Sequence, residues 1–129
     1  MIRAVLEGVA LSLEHNLLTA EETGVAIDSL NAMGGSANSL LWTQIKADVT
    51  GKKVQVPASD TATTLGAALL AGVGTGIYKD YKEAVEATIQ ITRVHEPNME
   101  NHETYKREMA LYLKLYENLK DTFQEFKEI

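Results

Sequence analysis

Apolar residues recur at helical spacing from the start of the chain, where Ile2, Val5, Leu6, Val9, Leu13 and Leu17 predict an amphipathic helix with one core face. Glu21, Glu22 and Gly24 close it. A helix that begins at Met1 with no cap before it is the pattern expected of a chain starting inside a larger protein. Val25 to Met33 alternates imperfectly and predicts a helix tail followed by a short strand that ends at Gly34-Gly35. Past Ser36, the residues Leu40, Leu41, Ile45 and Val49 return to helical spacing and stop at the turn Thr50-Gly51-Lys52. The order is strand, glycine turn, helix. Val54, Val56 and Pro57 predict a short extended strand, after which Ser59-Asp60-Thr61 supply capping side chains for a small-residue helix from Ala62 to Val73, ended by Gly74 and Gly76. A short helix from Lys82 to Ile89 follows, and Arg93 to Asn101 reads as a polar, proline-containing loop.

The last segment is the most regular. Tyr105, Met109, Tyr112, Tyr116, Leu119, Phe123 and Phe126 alternate spacings of four and three residues, a seam with a period of about 3.5. Burying side chains of this class stabilises by roughly 1.5 to 3 kcal/mol each, so the seam must face an apolar surface. That surface is either this domain's own core, or a missing domain or twin subunit. On the second alternative the chain is a homo-oligomer held partly by its first and last helices.

Length changes the picture by allowing one domain only: 129 residues, of which 45% are hydrophobic and 23% charged, make an ordinary soluble globular unit. With 12 Lys plus Arg against 18 Asp plus Glu, the net charge of -6 disfavours nucleic acid and anionic membrane surfaces as partners. The absence of cysteine removes disulfides, thiolate zinc sites and thiol nucleophiles, and fits a cytoplasmic protein. The longest charge-free window, Thr61 to Tyr78, is mostly Gly, Ala and Thr and is expected to be a buried small-residue segment, not a membrane span.

Chemistry concentrates at Gly34-Gly35-Ser36. Glycines between a strand and a helix let backbone amides approach an anion that the helix N-terminus then stabilises, although a tight turn with a serine cap fits the same residues. Neither the Walker loop nor the dinucleotide fingerprint is present. Gly66, Gly72, Gly74 and Gly76 fit close helix packing and a helix stop. His95-Glu96 and His102-Glu103 carry metal-ligand types but lack helical metal-site spacing, so a solvated loop is expected and no metal site is assigned. His15 is expected at the surface, Asp60 as a helix cap, Asp28 without a role, and Asp48 on a surface or domain interface. No Ser/His/Asp triad can be assembled, and no catalytic residue is assigned.

Taken together, Arg3-Ala4-Val5-Leu6-Glu7-Gly8-Val9-Ala10, Gly34-Gly35-Ser36-Ala37-Asn38-Ser39, Leu41-Trp42, Gln44-Ile45, Ala47-Asp48-Val49, Leu65 to Ala71 and Glu96-Pro97-Asn98 resemble the carboxy-terminal domain of the FGGY carbohydrate kinases. The resemblance covers nearly the whole chain. Within the family, the loop and the ending are most similar to the branch that phosphorylates D-xylulose to D-xylulose 5-phosphate, with the gluconate and ribulose branches next. The resemblance implies an α/β fold: the latter part of an actin-like, ribonuclease-H-like ATPase domain, helix-rich with a few short strands. It implies ATP with Mg as the cofactors, Gly34, Gly35 and Ser36 at the nucleotide phosphates and adenosine, and Asn38 and Ser39 on the adenine side. It places the catalytic aspartate, the sugar-binding residues and the first phosphate loop in segments preceding this one. Residues 1–129 then form the nucleotide-binding fragment of a kinase that meets its sugar through the missing domain and is inactive alone. The rival expectation is a stand-alone interaction module.

Overall fold

Helix α2, Leu40–Thr50, is the element around which the first and last helices and the sheet pack, because it buries side chains on two sides: Ile45 and Val49 are buried on one and Thr43 and Ala47 are almost wholly enclosed. The computed structural model describes residues 1–58 and 62–125. On one flank α2 meets α1, Ile2–Glu21, and the first half of the long α5, Met99–Glu125. These three helices share a core of Ala10, Leu11, Ile45, Val49, Tyr105 and Met109, with Leu6, Leu18, Tyr112 and Leu113 closing its edges. On its other flank lies a small sheet of β1 (Ser29–Asn31), β2 (Lys53–Pro57) and β3 (Ile91–His95), in that order, β1 parallel to β2 and β3 antiparallel to it. Val54 and Val56 are buried from β2, as its alternating pattern requires, beside Pro57 and, from β3, His95.

Local chemistry sets the boundaries. Ser39 caps α2 by accepting from the Trp42 amide at 3.2 Å, and Gly51 ends it in the left-handed region at φ 64°. A side chain at Gly51 would also meet the His102 ring, whose atoms lie 2.6 and 2.7 Å from where its Cβ would stand. Asp80 caps α4, Tyr81–Thr88, through the Glu83 amide at 2.9 Å. Helix α3, Ala62–Gly74, packs against α4. The Ser59-Asp60-Thr61 cap and Phe126 lie outside the described residues.

Several expectations are corrected. Arg93 to His95 is strand, not loop: pairing with β2 satisfies its backbone, and α5 already starts at Met99. Residues 25–28 are not a helix tail. The core face of α1 is centred on Ala10 and Leu11, so Ile2, Val5 and Val9 stand largely in solvent. Helix α3 is not buried; Leu70 is exposed and the helix packs mainly against α4. His15 is half-buried, with its ring edge-on to Tyr116 at 4.9 Å. The α5 seam divides: Tyr105 and Met109 enter the core, Tyr112 and Leu119 are half-buried, and Tyr116 and Phe123 are exposed.

Because Ile45 is 2% exposed and sits where the three helices meet, Ile45→Ala should cost about 2 to 5 kcal/mol through lost transfer energy and a cavity. Leu111→Ala, on the outer face of α5, should stay within about 0.5 kcal/mol. Urea unfolding of both variants checks the contrast; equal losses would misplace the core.

Candidate functional site

Chain direction creates the site. Strand β1 runs toward Ala32 and Met33, and the backbone then reverses at Gly34, whose φ of 76° and ψ of -175° suit only glycine. Gly35–Asn38 form a single 3₁₀ turn, and α2 begins at once beyond Ser39. Ala37 donates to the Gly34 carbonyl at 2.9 Å and Ser39 to the Ser36 carbonyl at 3.3 Å. The amides of Gly34, Gly35 and Ser36 find no acceptor among the described residues. A Cβ at Gly35 would meet nothing within 4 Å, so this face of the turn is open. Three amides left free by the described residues, just before a helix N-terminus, make a ready anion cradle.

Of the five expected site residues, Gly34, Gly35 and Ser36 share this turn, and Asn38 and Ser39 are exposed at its far end. The Ser39 hydroxyl is engaged as the α2 cap, which leaves Asn38 the freer of the two side chains. Two cations flank the turn. Lys46 Nζ lies 3.4 Å from Ser36 Oγ and 4.5 Å from the centre of the Trp42 ring, and it makes no ion pair among the described residues. Burial holds its pKa below the ordinary lysine value. It also lines a cavity of about 290 Å³ with Leu13, Leu30, Ala32 and Met33. Opposite, the Arg93 guanidinium donates through Nη2 to the Ala37 carbonyl, which also accepts from Thr43 Oγ1 at 3.4 Å.

Behind Arg93 stands a chain of polar groups that the sequence did not announce. Arg93 Nε donates to His95 Nε2 at 2.9 Å, while His95 Nδ1 lies 3.0 Å from Gln44 Oε1. This assigns His95 as neutral, its proton on Nδ1. Gln44 Nε2 donates to Asp48 Oδ1 at 2.7 Å and to the Glu96 carbonyl at 2.9 Å. Asp48 is 5% exposed, not a surface group, and it also accepts from the Asn98 amide at 2.9 Å and Asn101 Nδ2 at 2.8 Å. Nor is His95 in a solvated loop; it is buried on β3, while His102 sits on α5 with Nδ1 3.0 Å from the Asp48 carbonyl. Among the described residues no three His, Asp or Glu side chains converge as metal ligands. The one sequence signal for this chain of groups was Gln44 and Asp48 one helical turn apart on α2.

His95 carries a pH dependence. Burial and the neighbouring Arg93 charge hold its pKa below the ordinary 6.5, with Asp48 opposing. The unfolded chain therefore binds the proton more readily, so this contribution is intact above pH 6.5 and is lost as pH falls from 6.5 through the folded value. Glu14, pushed up to about 7 chiefly by burial, acts in the opposite sense, so comparison with His95→Gln isolates the histidine. Relative to that variant, the parent should lose urea resistance below pH 6.5, and imidazole NMR should show Nδ1 protonated at neutral pH. A His95 titration at or above 6.5 would break the assignment.

Residues 1–75 match the FGGY family of carbohydrate kinases, C-terminal domain. A xylulose kinase of Staphylococcus epidermidis is 34% identical over 92% of this chain and 24% of its own length. An autoinducer-2 kinase of Salmonella choleraesuis is 40% identical over 92% of this chain and 22% of its own. The crystal structure of a gluconate kinase from Lactobacillus acidophilus superposes with a TM-score of 0.87 at 25% identity, over 96% of this chain and 25% of that one. The chain thus spans about a quarter of the length of the relatives it matches.

Proposed function

The chain belongs to the FGGY family of carbohydrate kinases, and from that premise we propose that it is the ATP-binding portion of a kinase that phosphorylates a sugar hydroxyl, a ketopentose such as D-xylulose in the first instance. The observation that carries the reading is the open turn at Gly34-Gly35-Ser36, with three amides that are unengaged among the described residues just before α2, and Lys46 beside it without an ion-pair partner among those residues. That donor set fits nucleotide phosphates, and in this reading the exposed Asn38 and Ser39, at the far end of the turn, would face the adenosine. ATP supplies the phosphoryl group, and this chain's part is to fix its phosphates by backbone amides and leave the sugar to residues beyond it. Mg, expected with ATP, finds no acidic cluster among the described residues, so in this reading it arrives held by the phosphates and by other segments. The proton acceptor for the sugar hydroxyl likewise belongs to the rest of the enzyme.

The sugar is the open part of the reading. Relatives named for xylulose, autoinducer-2 and gluconate are all similar to this chain, and the groups that would contact a sugar are expected elsewhere. D-xylulose is favoured because the loop and the ending of the chain resemble that branch. The exposed Tyr116 and Phe123 on α5 favour association of copies in the complete protein.

Gly35 tests the turn cleanly, because its Cβ would enter open space and leave the fold undisturbed. In the complete kinase Gly35→Val should raise the KM for ATP by about tenfold or more with little change in sugar KM, the loss expected when a ligand can no longer approach backbone amides. The isolated chain should show no sugar-dependent ATP consumption with D-xylulose, D-gluconate or D-ribulose. Turnover by the chain alone, or unchanged ATP affinity in Gly35→Val, would refute the reading.

A further inference from the structure

We propose that Arg93 is the positioning residue of the glycine turn: its guanidinium, clamped between the Ala37 carbonyl and the neutral His95 ring, holds the 3₁₀ turn in the conformation that presents its amides to an anion. The inference rests on the nucleotide reading above and assigns that site a residue contributed by a different strand. The turn needs such support. It is a single four-residue 3₁₀ turn, closed at its ends by the bonds from Ala37 to Gly34 and from Ser39 to Ser36, and it begins at Gly34 and Gly35, the residue type with the greatest conformational freedom. Arg93 enters from β3, which is in register with β2 through Val56, so its backbone is fixed by the sheet. Its planar fork then spans two acceptors, one on the turn and one on β3 itself.

The side chain at the second acceptor is itself oriented. His95 Nδ1 meets Gln44 Oε1, and Gln44 Nε2 meets buried Asp48, so the ring cannot rotate its lone pair away from Arg93 without unpairing a buried carboxylate partner. Lysine could reach one acceptor but not both. The positive charge also stands behind the turn, where it adds to the field of the α2 N-terminus toward an anion. Arg93 touches neither the expected phosphates nor a reacting atom in this arrangement; it acts through the Ala37 backbone.

Arg93→Met and Arg93→Lys in the complete kinase test this against Gly35→Val as reference. Calorimetry with ATP and with the sugar, alongside steady-state kinetics, should show Arg93→Met weakening ATP binding by about tenfold with sugar KM unchanged and with thermal unfolding still cooperative. Arg93→Lys should fall between it and the parent, at about threefold. Should Arg93→Met fail to fold, Arg93→Lys decides by the same criterion. ATP affinity unchanged in the folded variant, or ATP and sugar affinity falling together, overturns the inference. If Gly35→Val weakens ATP binding while neither Arg93 variant does, the nucleotide site stands and only the positioning role falls. If Gly35→Val has no effect, both fall.

Discussion

A carboxylate buried at the centre of a small protein must be met by donors from every direction, and the way Asp48 is met ties the parts of this fold together. At 5% exposure it would be expensive to leave unpaired. Its oxygens accept from Gln44 on α2, from the Asn98 amide at the β3–α5 connection and from Asn101 on α5. The two asparagines, which lie outside α2, hold the β3–α5 connection and the start of α5 against it. Because Gln44 also orients His95, and His95 receives Arg93, the same requirement extends along β3 to the glycine turn. The turn and the start of α5 are thus opposite ends of one polar chain running beside the apolar core of Ile45, Val49, Tyr105 and Met109.

That core could be read in the sequence where local pattern and burial agree. Ile45 and Val49 on α2, Val54 and Val56 on β2, and Tyr105 and Met109 on α5 all sit where their periodicity puts them. The pattern failed where burial depends on a partner. Ile2, Val5 and Val9 have the right spacing, yet α2 and α5 approach α1 on the face carrying Ala10 and Leu11, and a small alanine at a close helix contact leaves little mark in a hydrophobicity pattern. Helix α3 is apolar nearly throughout and still exposed, because periodicity reports what a segment can bury, not what stands against it.

The site was half legible for a related reason. Glycines at a strand-to-helix turn signal themselves locally, since only they accept the Gly34 backbone and leave the open face at Gly35. Arg93 and His95 signal nothing locally, and Asp48 does so only through Gln44 one helical turn before it. Arg93-Val94-His95 precedes Glu96-Pro97-Asn98, and polarity with a proline pointed to a loop. Strand pairing with Val54, Gln55 and Val56, separated from them by some forty residues, overrides that composition and turns two polar side chains inward. Their function follows from who their neighbours are, which one-dimensional spacing does not contain.

The division of labour inside the turn has a physical logic. Backbone amides held by short hydrogen-bonded turns lose little freedom when an anion binds, whereas lysine or arginine side chains reaching for the same anion would each surrender rotamer entropy. Glycine makes the approach close but leaves the backbone loose, so the rigidity has to come from elsewhere. Here it comes from behind: Ser39 and Thr43 fix the turn to α2, and Arg93 fixes it to the sheet through Ala37. The open face of Gly35 and the braced carbonyl of Ala37 are then complementary features of one device, the first admitting an anion and the second keeping the donors aimed before it arrives.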